Sequence, residues 1–301
     1  MTELHSSKDI EKISYDILKS CKGLGVFPTP IDTIVDYSEL IVNNQVDISR
    51  IHDSYLSKAT NALFKALSKV RGLLDRRKKT IYLDLSQLPT RRNFVKLHEV
   101  GHGILPWQAK VHDVLDDDDD SLSPYVIDEF EAEANYFASV TLFQHDIFIE
   151  ELKKLNLSME SNMQLAKLFG GSIHATLRRY IQCSPKRCAL LVLENKSSLN
   201  SNRGCFKKAF FASTKFIETF GDIDWPATFD FKWAFASSYL IGRKGVLSDS
   251  IKLQTLNGNT EFNYQFFNNS YNGFVLLYPN GEKQRSRTNI IITESSSVGK
   301  V

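Results

Sequence analysis

The chain has little cysteine: Cys21, Cys183, Cys188 and Cys205 are the only four in 301 residues. They are too few and too irregularly spaced for a disulfide framework, and the interval from Cys183 to Cys188 is not that of a C-x-x-C pair, so reduced thiols are expected. No apolar run approaches the length needed to cross a bilayer. The opening residues Met1, Thr2, Glu3, Leu4, His5 and Ser6 lack the basic start and apolar core of a secretory leader, so a cytoplasmic protein is expected, with no membrane partner. Charge of one sign is lacking too. A formal net charge of +2 supplies no strong general attraction to nucleic acid, although it leaves room for a local basic patch. What remains is an ordinary globular balance, 42% hydrophobic and 24% charged, which argues against wholesale disorder and suffices for one large domain or two.

Against that plain background His98-Glu99-Val100-Gly101-His102 stands out. Residues four apart on a helix lie on one face about 6 Å apart along the axis, so two imidazoles can serve one metal ion. A carboxylate beside the first of them reaches a metal-held water without ligating the ion, the position of a general base in a zinc hydrolase. The preceding residues Arg91 to Leu97 contain no Gly or Pro, and Phe94, Leu97 and Ile104 fall near helical spacing with the two His, which predicts a buried helix with Thr90 as its N-cap.

Two histidines do not complete a catalytic zinc site, which takes a third protein ligand and leaves one position open. Downstream, Phe130, Ala134, Phe137 and Ala138 trace an apolar helical face with Glu131 on its edge. Asn135, one turn on, is placed to hydrogen-bond a ligating His or the Glu131 carboxylate. Glu129 and Glu133 point about 200° away from Glu131 and are expected to face solvent.

Together these residues resemble the signature of the ImmA/IrrE metallopeptidases, H-E-[LIV]-G-H followed by E-x-E-A-N-x-F-A, here running from Glu131 to Ala138. Weaker likeness extends upstream, through Pro28-Thr29-Pro30-Ile31-Asp32, Gly72, Asp75 and Ile81-Tyr82-Leu83-Asp84. The resemblance implies His98, His102 and Glu131 as zinc ligands and Glu99 as the catalytic acid and base; two His and one carboxylate also accept manganese. It implies a protein substrate, a helix-turn-helix transcriptional repressor, whose cleavage would switch on stress-response or mobile-element genes. The chain departs from the pattern at Ile104-Leu105-Pro106-Trp107 and at Thr141-Leu142-Phe143-Gln144.

The fold expected is α+β, in three parts: residues 1–155, a helix-rich zincin-like domain with a short sheet; residues 156–186, a helical hairpin resembling a helix-turn-helix; and residues 187–301, a β-rich domain whose counterpart in some relatives is GAF-like and sensory. In the first part residues 80–85 read as an edge strand beside the metal helix, able to pair with an extended peptide. In the hairpin, Gly170-Gly171-Ser172 supplies a turn and an N-cap. Arg178 and Arg179 fall late in its second helix, where recognition helices seldom read DNA. An alternative function keeps the metal site non-catalytic and has the chain bind DNA through 157–180 or sequester a repressor. In the third part residues 189–193, 274–277 and 290–292 read as strands, and Asn257-Gly258 and Asn280-Gly281 as tight turns. Phe229, Phe231, Trp233 and Phe235 alternate as in a strand with one aromatic face.

Three charged features have plain readings. The acidic block 116–120, with Asp113 before it, reads as a solvated loop or a flap steering a basic partner, and Arg76, Arg77, Lys78 and Lys79 as a solvated turn. His112 and His145 are further candidates for a ligand or an oxyanion donor.

Overall fold

The computed structural model describes residues 4–50, 72–115, 124–195 and 204–282. The acidic block 116–120 and the strand read at 290–292 lie outside them. The architecture is α+β, with a helical layer around a three-stranded sheet followed by a six-stranded antiparallel sheet.

Helix α1 (Ser7–Ser20) buries Ile10, Ser14 and Leu18, at the spacing of one helical face, against the long α5 (Pro124–Leu142). Ser14 Oγ meets Thr141 Oγ1 at 2.8 Å, so the polar atoms inside that contact are paired. After α2 (Ile31–Tyr37) come β1 (Ile41–Asp47), β2 (Gly72–Asp75) and β3 (Thr80–Leu83), in sheet order β1-β3-β2. Ile81 and Leu83 alternate into the core as a period of two requires. β3 is therefore the central strand and not the expected edge: β1 pairs parallel on one side and β2 antiparallel on the other. Among the described residues the outer strand on the metal-helix side is β2.

Helix α3 (Pro89–Ile104) carries the H-E-V-G-H residues. Its cap is Leu88 rather than Thr90, because Pro89 takes the first helical position, where a missing N–H costs nothing and the fixed φ suits the helix. It ends at Leu105, and α4 (Pro106–Leu115) turns off at once behind Pro106. Gly101 sets how closely α3 and α5 approach. A Cβ there would lie 3.1 Å from Phe137 Cδ1 and 3.3 Å from the Ala134 Cα.

Following α6 (Asp146–Lys154), the expected hairpin forms from α7 (Met159–Phe169) and α8 (Ile173–Cys183). Ser158 and Ser172 cap their N-termini by accepting from Ser161 N and Ala175 N, and Gly170 closes α7 in the left-handed conformation.

The second sheet runs β6-β5-β4-β9-β8-β7, formed by β4 (Ala189–Glu194), β5 (Cys205–Ala212), β6 (Thr228–Phe229), β7 (Leu247–Thr255), β8 (Gly258–Asn268) and β9 (Asn272–Pro279). One face of its centre (Leu190, Val192, Phe274, Leu276, Tyr278) joins the same buried cluster as Ile10, Val100 and Phe169. The other (Leu191, Leu193, Val275, Leu277) packs with Phe216 of α9 (Thr214–Phe220) and Phe235 of α10 (Ala234–Leu240). Burial on both faces explains why 189–193 and 274–277 read as unbroken apolar runs. It also means that apolar packing is continuous across residues 155 and 186.

The aromatic alternation at 229–235 is not a strand. Asp230 Oδ1 accepts from Lys232 N, and the Asp230 carbonyl from Trp233 N, which bends the chain after Phe229. Phe231 is left exposed, and Phe235 belongs to α10. The four cysteines are all free thiols. Among the described residues no helix is long and apolar enough to cross a membrane.

Candidate metal centre

On α3, His98 and His102 turn the same face toward α5, and their Nε2 atoms lie 3.0 Å apart. The rings stand nearly perpendicular, at 83°. From α5, Glu131 presents Oε1 at 3.4 Å from His102 Nε2 and Oε2 at 3.5 Å from His98 Nε2. Zinc held at about 2.0–2.2 Å by tetrahedral N and O donors requires those donors to be about 3.3 Å from one another. The two carboxylate spacings fit, one to each oxygen of Glu131, and the Nε2–Nε2 spacing is about 0.3 Å shorter. Glu131 Oε2 is moreover buried without a hydrogen-bond partner, a costly state for a carboxylate oxygen that a cation would relieve. Among the described residues these three are the group of His, Cys, Asp or Glu whose donor atoms converge tightly enough for a metal ion.

Glu99 is 4% exposed and turns to the β2 side of the helix. The Leu74 N–H donates to it, and a Cβ on Gly72 would sit 2.7 Å from its Oε1. Only a glycine lets the strand come so near the carboxylate. Burial raises the Glu99 pKa above the usual carboxylate range, against the opposing pull of His98 and His102, and Glu131 adds a like charge. For Glu131 burial also pushes upward, but the close approach of His102 and His98 outweighs it and holds the carboxyl well below its ordinary value. His102 is raised: burial acts downward, and Glu131, Glu99 and Gln108 overcome it. The result is a buried pair of carboxylates driven apart, Glu131 toward staying ionised and Glu99 toward taking a proton.

Asn135 does not perform the role expected of it. Its amide donates to the Glu131 main-chain carbonyl at 2.8 Å, one turn back on its own helix, and the residue is exposed. Gln108 of α4 supports the site instead. It is fully buried, and its Oε1 lies 2.8 Å from His102 Nδ1. Its Nε2 reaches Glu133 Oε2 at 2.8 Å and the Phe130 carbonyl at 3.2 Å.

Glu133 accordingly faces protein and not solvent. It is 4% exposed and also accepts from Trp107 Nε1 at 2.7 Å and Ser6 Oγ at 2.5 Å. Its angular position does point it away from His98, His102 and Glu131, but α4 and the residues before α1 cover that side of α5. The available signal was Pro106, which marks a second helix starting four residues after His102. Arg76, read as part of a solvated turn, reaches back to donate to the His102 carbonyl at 2.6 Å.

His145 lies in a different cluster, with Arg179 Nη2 at 2.5 Å from its Nδ1 and Glu11 and Asp146 near its Nε2. The His112 side chain is outside the described residues. Arg179 is 4% exposed, and Arg178 lies over the Phe211 ring at 5.1 Å. Both arginines are thus engaged with the protein.

Residues 60–180 match the family model described as peptidase M78, IrrE N-terminal-like domain. No curated protein matches. Among solved structures, a Mycobacterium tuberculosis transcriptional regulator is similar over 90% of this chain and 76% of its own, with a TM-score of 0.53 and 11% identity, a likeness of fold. The match brackets α3 and α5, the two helices that supply the converging His, His and Glu, so it is over residues 60–180 that this chain is similar to the IrrE N-terminal-like domain of the peptidase M78 family.

Proposed function

We propose that the protein is a zinc-dependent endopeptidase of the cytoplasm that cleaves a helix-turn-helix transcriptional repressor. One observation carries the metallopeptidase reading: two Nε2 atoms and a carboxylate, from helices 29 to 33 residues apart in sequence, meet at the mutual spacing of ligands on one tetrahedral ion beside the buried Glu99.

His98, His102 and Glu131 would hold the ion. Zinc bound there supplies Lewis acidity toward the scissile carbonyl and toward water. Glu99 takes a proton from water as the water oxygen bonds to the scissile carbonyl carbon, and it returns that proton to the amide nitrogen as the C–N bond breaks. β2 is the outer strand beside Glu99, which supports antiparallel pairing with an extended substrate segment along it.

The repressor as substrate rests on the family likeness, and the shared fold with a transcriptional regulator accords with it. In this reading residues 1–155 form the catalytic domain, 156–186 a hairpin packed between the cores, and 187–301 a domain that senses or selects. The DNA-binding alternative draws no support from Arg178 and Arg179, which pack on Phe211 and pair with His145.

Zinc titration of the wild type and of Glu131→Ala tests the ligand set. One tightly held ion per chain is expected in the wild type, with occupancy lost in the variant. Equal occupancies would contradict Glu131 as the third ligand.

A further inference from the structure

We infer that Gln108 is a positioning residue that fixes His102 in the tautomer with its proton on Nδ1 and a bare Nε2, and that Glu133 dictates which end of the Gln108 amide faces the imidazole. The inference rests on the metal-site reading above and concerns how this chain prepares one of its ligands.

The direction of each hydrogen bond follows from groups that have no choice. The Phe130 carbonyl, 3.2 Å from one end of the Gln108 amide, can only accept. Glu133 Oε2, 2.8 Å from the same end, already accepts from the indole N–H of Trp107, which can only donate. That end of the amide must therefore be the NH₂, with its two hydrogens taken by two acceptors. The other end is the carbonyl oxygen, and it lies 2.8 Å from His102 Nδ1. Nδ1 must then carry hydrogen, so the neutral ring leaves Nε2 with its lone pair toward His98 Nε2 and Glu131.

A reversed amide would present NH₂ to Nδ1 and force the proton onto Nε2, blocking the donor atom. Reversal would also set the amide oxygen against two acceptors in a place where nothing is exposed, since Gln108 is 0% and Glu133 4% exposed. The arrangement gives the second Glu of the E-x-E run a distinct duty from the first. Glu131 faces the ion, and Glu133, on the far side of α5, orients the other ligand helix through α4.

The test combines two readouts. Imidazole ¹⁵N shifts of the metal-free protein at alkaline pH report the His102 tautomer, and chelator competition reports zinc affinity. The wild type should show the proton on Nδ1. Gln108→Met, similar in size and without an acceptor, should give a mixture of tautomers and lower zinc affinity by about tenfold or more. Gln108→Glu, which has to take up a proton so that its O–H faces Glu133 while its carbonyl oxygen still faces Nδ1, should keep the tautomer. Glu133→Met should shift the tautomer in the same direction as Gln108→Met.

A wild type with the proton on Nε2 overturns the inference even if every variant fails to fold. So does a folded Gln108→Met with unchanged tautomer and unchanged affinity. Wild-type protein that binds no zinc overturns the metallopeptidase reading instead, and the tautomer is still read in the metal-free state.

Discussion

Replacing Gly101 by Ala should separate the stability of this protein from its hold on metal. The added Cβ would lie 3.1 Å from Phe137 Cδ1, 3.3 Å from the Ala134 Cα and 3.4 Å from Phe137 Cβ. Carbon atoms in good contact sit about 3.5–4.0 Å apart, so α5 has to retreat by a few tenths of an ångström. Ala134 offers backbone and cannot rotate away, and Phe137 is fully buried. Glu131, three residues before Ala134 on the same helix, moves with it. Metal–ligand distances tolerate only about ±0.2 Å, so the displacement is of the size that matters to the site.

Opposing terms act on folding. Overpacking costs about 1–3 kcal/mol. An alanine in a helix interior recovers about 1 kcal/mol relative to glycine. The net loss of metal-free stability should therefore be at most about 2 kcal/mol, while zinc affinity falls by about tenfold, the low end for mutations that disturb ligand support. Thermal unfolding without metal and chelator competition with it measure the two quantities. Unchanged zinc affinity would refute the claim that the approach of α3 to α5 sets the position of Glu131.

Two further changes act elsewhere. Gly72→Ala would place a Cβ 2.3 Å from Val95 Cγ1 and 2.7 Å from Glu99 Oε1, so it should displace Glu99 and lower turnover by about tenfold or more while zinc is retained; full turnover would show that β2 does not fix the carboxylate. His174 is pushed down to about 4 by burial and by Lys208, Arg178 and Arg91. Its folded pKa lies below its unfolded one, so the stability it contributes is complete above about pH 6.5 and is lost as pH falls toward 4, by roughly 3 kcal/mol at the limit. Denaturant midpoints of the wild type and His174→Gln should diverge across that window in the direction of a flatter acid limb for the variant; parallel curves would contradict it.

What could be read from the sequence was local. His98 and His102 followed from four-residue spacing, Glu131 from the apolar face around it and the family likeness, and the capped turn at 170–172 from its own residues. The failures arose where a distant segment decides the outcome. Glu133 was placed correctly by angle relative to Glu131, but helix geometry does not say that α4 and Ser6 close over that side. Asn135 had a nearer partner in its own helix, the carbonyl one turn back. β3 became central because β1, from residues 41–47, pairs with it across an intervening span. Phe229 to Phe235 alternated as a strand does, and the Asp230 turn overrode the pattern.

The most direct test of the account is an intact-mass measurement. The zinc-loaded wild type and Glu99→Gln are each incubated with helix-turn-helix repressors from the same genome, with and without a chelator. Two repressor fragments whose masses sum to the intact chain plus one water are predicted for the wild type alone, abolished by chelator, with Glu99→Gln retaining zinc but cutting about a hundredfold more slowly or less. Repressors all left whole by the zinc-loaded wild type, or cut equally fast by Glu99→Gln, would contradict it.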